Sequence, residues 1–465
     1  MNRGASPGRP WGARVLVAGL AGCLACTGGS GTTGKKDGTA GASGGASLDG
    51  GGGAGGARDA GSGGGGGSVA RDAGGVGIAV RGVVYDKFDV PIDGAQVRIG
   101  STIVQTGADG SFEIDGVVPP YDLDVWMPST IVATLVDRYV GLTRVDPALH
   151  FYVYVTPPHQ STLNVTLSAP LPSNEVANCQ FANPTRSEAM GQASGGVTSG
   201  STFSLVVGWY TSATSISGTL SCLVYKNNAL DPTGFDTFAS LPVTLTDGTP
   251  TSATLTLTPV STGTLTVDLT FGSSKGAEVD GYISIAGGAI HPAGNVSGIT
   301  SSPTSILIPE IPGSTLFLNA YGGTSDVRLF TYRTGFPVAA RSVDLTLPAP
   351  VPATSPSDGA TMVDTATPLT WSAPAGTAVN INIRPGDLKN AEYNIYTSQG
   401  SATIPDLTAQ GIPLPSGAVY SWQVTSFGPS LSVDDIASPT ESPCLSGLPG
   451  TCDFTVSKSR NITLR

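Results

Sequence analysis

Few residues in this chain could do chemistry, and they are scattered. Three histidines occur, His150, His159 and His291. No H-E-x-x-H or H-x-H pair exists, so a histidine-based zinc site lacks its ligands. His150 sits in the apolar run Leu149-His150-Phe151-Tyr152-Val153, His159 follows Pro157-Pro158, and His291 precedes Pro292. Each reads as a loop or strand-edge histidine, not as the base of a Ser-His-Asp triad. Asp122 and Asp124 share one strand face and could imitate a glycosidase acid pair. Alternation with apolar neighbours makes a solvated face the expected role. Asp86, Asp89 and Asp93 crowd one loop and could gather around Ca²⁺, but their spacing is not that of an EF-hand and aspartate suits turns. Trp126, Trp209 and Tyr210 could stack on sugar rings if exposed; core packing is the competing use. No catalytic, cofactor-binding or metal site is expected, and no cofactor.

The compartment is written at the start of the chain. Arg3, Arg9 and Arg14 precede the short apolar run Val15–Ala21, which is too short to span a bilayer. Residues 1–22 therefore read as a signal peptide. The following Leu20-Ala21-Gly22-Cys23 resembles the lipobox of bacterial lipoproteins. That resemblance implies an acylated Cys23 as the mature N-terminus. Cys26 offers a second, poorer match. A multiply acylated cysteine anchors stably, at about 0.8 kcal/mol per buried CH₂. Leu24 instead of aspartate after Cys23 points toward the outer membrane.

Residues 23–76 are nearly all Gly, Ala, Ser, Thr and Asp, with Arg58-Asp59-Ala60-Gly61 repeated as Arg71-Asp72-Ala73-Gly74. Too little apolar surface exists to offset the entropy of ordering, so a disordered tether is expected. About 50 such residues would span roughly 40 Å. G-x-G-x-x-G at Gly29–Gly34 and G-x-S-x-G at Gly41–Gly45 arise here from low complexity. Neither has the strand and helix its chemistry requires.

Charged residues make up 12% of the chain, with 64 glycines and 35 prolines, a mix suited to short strands and turns. Loss of the three arginines with the signal takes the net charge from −11 to about −14. A polyanion repels phosphate backbones, so nucleic acid is not an expected partner. The expected partners are the membrane, through the N-terminal lipid, and a carbohydrate or an envelope protein.

Beyond the anchor, the remaining cysteines fall as Cys179 with Cys222 and Cys444 with Cys452. An even number in each region of an exported chain predicts one disulfide apiece. Chain entropy assigns them about 4 and about 2.5 kcal/mol.

From Ile78 onward period-2 alternation predicts strands. Ala95, Val97 and Ile99 share one face, Tyr121, Leu123 and Val125 another, and Asp93-Gly94, Asp109-Gly110 and Asp115-Gly116 mark turns. The series Val80–Tyr85, Pro91–Val97, Thr106–Ile114 and Val117–Val125 resembles the carboxypeptidase regulatory-like domain. The resemblance implies a transthyretin-like, seven-stranded, non-catalytic sandwich closing near Leu167. Val165-Thr166-Leu167, Leu255-Thr256-Leu257 and Leu345-Thr346-Leu347 recur at two intervals of 90 residues, and Ile462-Thr463-Leu464 ends the sequence. They read as the last strands of four sandwiches. The predicted organisation is all-β: tandem antiparallel β-sandwiches over 77–170, 171–259, 260–350 and 351–465. Ile308–Leu318 echoes Ile114–Val125, so the third sandwich reads as a divergent copy of the first. Leu369-Thr370-Trp371 and Tyr420–Val424 resemble a fibronectin type III or Ig-like domain, with Trp371 and Trp422 in its core. A turn or two of helix is expected near Ser187–Met190. The function expected from these parts is non-enzymatic: a lipid-anchored envelope protein, structural or adhesive. The alternatives are a carbohydrate-binding surface protein and an exported hydrolase.

Overall fold

The computed structural model describes residues 77–465 apart from 87–88, 130–131, 152–156, 184–188, 193–199, 228–231, 273, 275, 287, 429–431 and 440–450. The expected signal and tether, with Cys23, Cys26 and Cys444, thus lie outside the described residues. The rest is all-β, with one helical turn at Val433–Ile436 and a 3₁₀ turn at Thr408–Gln410.

The first sandwich contains β1 (Ile78–Asp86), β2 (Gln96–Ile99), β3 (Thr102–Gln105), β4 (Ser111–Val117), β5 (Tyr121–Pro128), β6 (Thr134–Leu142) and β7 (Ala148–Phe151). A three-stranded sheet, β4-β1-β7, packs on the order β3-β2-β5-β6. Alternation builds the core: Val80 and Val84 of β1 meet Leu123 and Val125 of β5, all fully buried. Each such side chain contributes about 1.5–3 kcal/mol. The Asp109-Gly110 turn needs its glycine, at φ 71°, because a Cβ there would stand 2.5 Å from the Val84 carbonyl oxygen.

Sandwich one ends at β7, which lies parallel to β1 with Phe151 beside Asp86. The expected closure near Leu167 is therefore wrong. Val165-Thr166-Leu167 belongs to β8 (His159–Leu171), which opens the second sandwich. The others of that sandwich are β9 (Glu175–Ala182), β10 (Ala189–Gln192), β11 (Gly200–Trp209), β12 (Ser215–Lys226), β13 (Gly234–Thr246), β14 (Thr251–Leu255) and the short β15 (Thr258–Pro259). The helix expected near Ser187–Met190 is also absent over its described part: Ala189 and Met190 lie in β10, paired to β9 and β11.

The third sandwich contains β16 (Thr262–Thr270), β17 (Ala277–Ser284), β18 (Ile290–Ile299), β19 (Thr304–Pro309), β20 (Thr315–Gly323), β21 (Val327–Pro337) and β22 (Ser342–Thr346). Its orders β19-β16-β22 and β18-β17-β20-β21 repeat those of the first, strand for strand. The second repeats them too, as β11-β8-β14 and β10-β9-β12-β13. In all three, the opening strand pairs antiparallel with the fourth of these seven and parallel with the last.

The fourth differs. It contains β23 (Ala353–Ser355), β24 (Ala360–Val363), β25 (Leu369–Trp371), β26 (Val379–Pro385), β27 (Ala391–Thr397), β28 (Ser401–Ala402), β29 (Val419–Gly428), β30 (Cys452–Ser457) and β31 (Arg460–Leu464). Sheet β23-β25-β28 covers β27-β26-β29, with β30 and β31 both on β29 and β24 parallel to β31. Trp371 and Trp422 lie in this core, as the sequence predicts.

The sandwiches are joined by backbone. β21 of the third pairs with β30, and β27 pairs with β6 of the first, so one sheet runs through sandwiches three, four and one. Trp126 and Val136 of the first sandwich enter the core of the fourth, while Tyr396 and Phe427 of the fourth enter the core of the first. Opposite faces of the continuous sheet are therefore covered by β4-β1-β7 on one side and by the three-stranded sheets of sandwiches three and four on the other.

Candidate functional site

Where the second and third sandwiches meet, a buried polar array forms. β9 and β12 carry Cys179 and Cys222 in register, joined by a disulfide (S–S 2.02 Å) and buried in the second core. Period-2 alternation sends their neighbours Asn178 and Ser221 through the opposite face. There they meet His291 from β18. Its Nε2 stands 2.8 Å from Ser221 Oγ and its Nδ1 3.0 Å from Asn178 Oδ1. Gln180 Nε2 donates to the same Asn178 oxygen at 3.0 Å and to the Ile290 carbonyl at 2.6 Å, and its Oε1 accepts from the Ile290 N–H. Asn178 Oδ1 can only accept, so His291 donates through Nδ1 and accepts the Ser221 hydroxyl proton at Nε2. Apolar contacts surround the array: Leu223, Tyr225 and Phe235 pack on Ile283, Ile285, Ala293 and Ile311.

The hydrogen-bond order is that of a Ser-His-Asn triad, but the setting differs. Ser221 and His291 are wholly buried, and burial pushes the imidazole down to about 3. A general base must take a proton near the working pH, and this one is held neutral. The array instead satisfies polar groups that would otherwise cost about 1–3 kcal/mol each when buried. Its chemistry is that of a clasp between sandwiches. Neither Ser221 nor Asn178 stands out in the sequence. Their adjacency to two cysteines was the usable signal, because strands bonded at those cysteines must place both neighbours on one face.

The other singled-out residues do not converge on this array. His150 in β7 places Nε2 3.1 Å from Asp89 Oδ1 and stacks on Tyr85. His159 in β8 places Nδ1 2.9 Å from Asp247 Oδ2 and stacks on Trp209. His150 fits the strand-edge expectation, in edge strand β7, while His159 opens β8, which lies between β11 and β14. His291 lies in an edge strand too, yet is fully enclosed, because the second sandwich packs over it.

Asp124 corrects the expectation of a solvated face, while Asp122 stays exposed as expected. Asp124 is buried and accepts from Arg98 Nε and Nη2 at 3.0 and 2.7 Å, with Arg138 Nη1 at 3.4 Å. Arg138 Nη2 also holds Asp122 at 2.7 Å, and Arg98 reaches the Asp406 carbonyl of the fourth sandwich. The pair is a guanidinium clamp at the seam between sandwiches one and four. Asp86 is buried, with Oδ1 accepting the Val90 N–H, while Asp89 engages His150. Among the described residues no cluster of three or more metal-ligating side chains occurs. Trp126 and Trp209 are core residues, so neither offers a face to a sugar. Burial and the Asp86 charge push the Tyr210 phenol up to about 12. Cys452 at the start of β30 is disulfide-bonded, and Cys444 lies outside the described residues.

The fold defines an all-β protein of stacked β-sandwiches, with a parallel strand pair in each of the first three. No family model and no curated protein match the chain. Among solved structures, the Bacillus anthracis TIE protein is similar at 11% identity over 59% of this chain and 51% of that one, with a TM-score of 0.15. The chain thus spans about half the length of that protein. A streptococcal ancillary pilin is similar at 12% identity over 58% of this chain and 99% of its own, also with a TM-score of 0.15. BcpA, the major pilin subunit of Bacillus cereus, is similar at 12% over 58% and 98%, with a TM-score of 0.13.

Proposed function

We propose that this chain is an exported cell-envelope protein, held to the outer membrane by a lipid on Cys23. Its folded part serves as architecture or adhesion, not as a reaction vessel. The observation that carries this is the stitching of separate sandwiches by backbone pairing, β21 to β30 and β27 to β6. At these two junctions edge strands pair with one another instead of standing free. A buried cross-strand disulfide suits an oxidising compartment. The strand orders support reading the first sandwich as carboxypeptidase regulatory-like, the third as its divergent copy, and the fourth as fibronectin type III or Ig-like.

Labelled fatty acid tests the anchor. It should enter the wild type and not Cys23→Ala. Label that survives in Cys23→Ala and disappears in Cys26→Ala would move the attachment to the second thiol, and no label in the wild type would remove the lipid altogether. Any hydrolytic activity lost in Ser221→Ala but kept in His150→Ala would overturn the non-enzymatic role.

A further inference from the structure

The seam between sandwiches one and four contains a carboxyl group buried without a counter-ion. β6 and β27 run parallel there, with Asp137 beside Asn394 and, on its other side, Val125 of β5. Asp137 is fully buried. Asn394 Nδ2 donates to Asp137 Oδ1 at 2.9 Å, while Asp137 Oδ2 is buried with no hydrogen-bond partner among the described residues. Asn394 Oδ1 in turn accepts from Asn382 Nδ2 at 2.9 Å, which also donates to Glu392 Oε1 at 2.7 Å. A row of amides and carboxyls thus crosses β26, β27 and β6.

No cation in that row neutralises Asp137. On β27 the nearest charge is Glu392, itself an anion, with Arg384 of β26 turned to it at 3.7 Å. On β6 Arg138 is spent on Asp122 and Asp124 of β5. From the helical turn, Asp434 engages Thr143 and Arg144, and Asp435 caps the turn through Ser432. Tyr139 and Tyr396 stack on each other beside the row. The facing sheet presents Val80, Val84, Phe112, Ile114, Leu149 and Phe151, all apolar. An ionised carboxylate here would be a buried charge without a counter-ion, which proteins avoid by holding the proton.

We propose that Asp137 is a proton-held latch: sandwiches one and four stay paired along β6 and β27 while its carboxyl is neutral, and the pairing loosens as the proton leaves. Burial is the main cause of its high affinity for the proton, which pushes it up to about 8; the Asn394 bond opposes this and Glu392 adds to it. In an opened seam the group would return to the usual carboxylate value near 3.9. A group whose closed-state value is raised stabilises the closed state in acid, and that contribution fades as pH rises toward 8. Between pH 5 and 8 one proton is linked to opening, so the opening equilibrium should rise about tenfold per pH unit. Residues 134–142 and 391–397 are far apart in sequence, so the latch would govern whether the first sandwich, the one next to the tether, stays docked on the last.

Amide hydrogen exchange on the full chain, corrected for the intrinsic pH effect, reads this. Protection at 135–139 and 392–396 should fall about tenfold per pH unit from 5 to 8, whereas β8 and β11 should show no such fall. Asp137→Asn should flatten the seam profile. A pH-independent seam in the wild type, or an unchanged slope in Asp137→Asn, would overturn the latch. Infrared spectroscopy of the wild type gives an answer independent of the variant's folding. A protonated carboxyl band at pH 6 that vanishes above pH 9 supports it, and no such band at pH 6 overturns it.

Discussion

Leu255 lies beside Leu167, in register, on the neighbouring parallel strands β14 and β8. Both belong to one sandwich. The recurring apolar-Thr-apolar phrase therefore measures, in its first interval, the distance from the opening strand of a sandwich to its seventh. In its second interval it runs from one seventh strand to the next, since Leu345 lies in β22. This parallel pair is the device that closes each of the first three sandwiches. It predicts that stability depends on contacts between residues distant in sequence.

The disulfide Cys179–Cys222 ties β9 to β12 inside the second core. Replacing both cysteines with alanine should lower unfolding free energy by about 4 kcal/mol, mostly through the unfolded chain. Denaturant titration of the oxidised proteins measures it. An unchanged midpoint would show that the crosslink constrains nothing.

Docking of the second sandwich on the third should weaken in acid. Burial holds His291 down to about 3, whereas a solvated imidazole takes a proton near 6.5. The lowered value means the neutral, docked form is favoured above pH 6.5, and its advantage is lost as pH falls from 6.5 toward 3. The slope should reach about 1.4 kcal/mol per pH unit. Melting temperatures from pH 4 to 7 should show it in the wild type and show less of it in His291→Gln.

Asp122 and Asp124 should behave unequally. Asp124 is buried between two guanidinium groups, so Asp124→Ala leaves Arg98 without its anion and should cost about 3 kcal/mol or more. Asp122 is half-exposed, and Asp122→Ala should cost under about 1 kcal/mol. Equal costs in urea denaturation would mean the clamp is not centred on Asp124.

Trp209 should act as core. Its indole N–H donates to the Ala213 carbonyl at 2.7 Å and its ring is wholly buried. Trp209→Ala should lose about 3–5 kcal/mol. Soluble sugars should not perturb Trp209 fluorescence in the wild type, and a saturable change would contradict its burial.

The sheet class was legible because alternation is local: Leu265, Val267 and Leu269 announce their face within β16. The core positions of Trp371 and Trp422 were legible for the same reason. Boundaries were harder. Val165-Thr166-Leu167 looks identical as a first or a last strand, since alternation says which face a residue takes and not which partner it pairs with. The first sandwich fills its seventh position with Ala148–Phe151, a four-residue strand too short to signal its role. The array of Ser221, His291 and Asn178 was hidden because it forms between modules, from residues up to 113 positions apart. The same holds for Asp137 and Asn394, whereas Asp124 pairs with Arg98 and Arg138 inside sandwich one and is covered because sandwich four packs over that face.

The stitching of sandwich one to sandwich four is tested most directly by the rings of Tyr139 and Tyr396, whose centroids lie 4.8 Å apart across the β6–β27 seam. Nuclear Overhauser spectra of the full chain, with ring-labelled tyrosine and Tyr139→Phe and Tyr396→Phe for assignment, should show a cross-peak between the two rings below pH 7. Independent sandwiches joined only by linkers would leave each ring assigned and no cross-peak between them, and that result would contradict the continuous sheet.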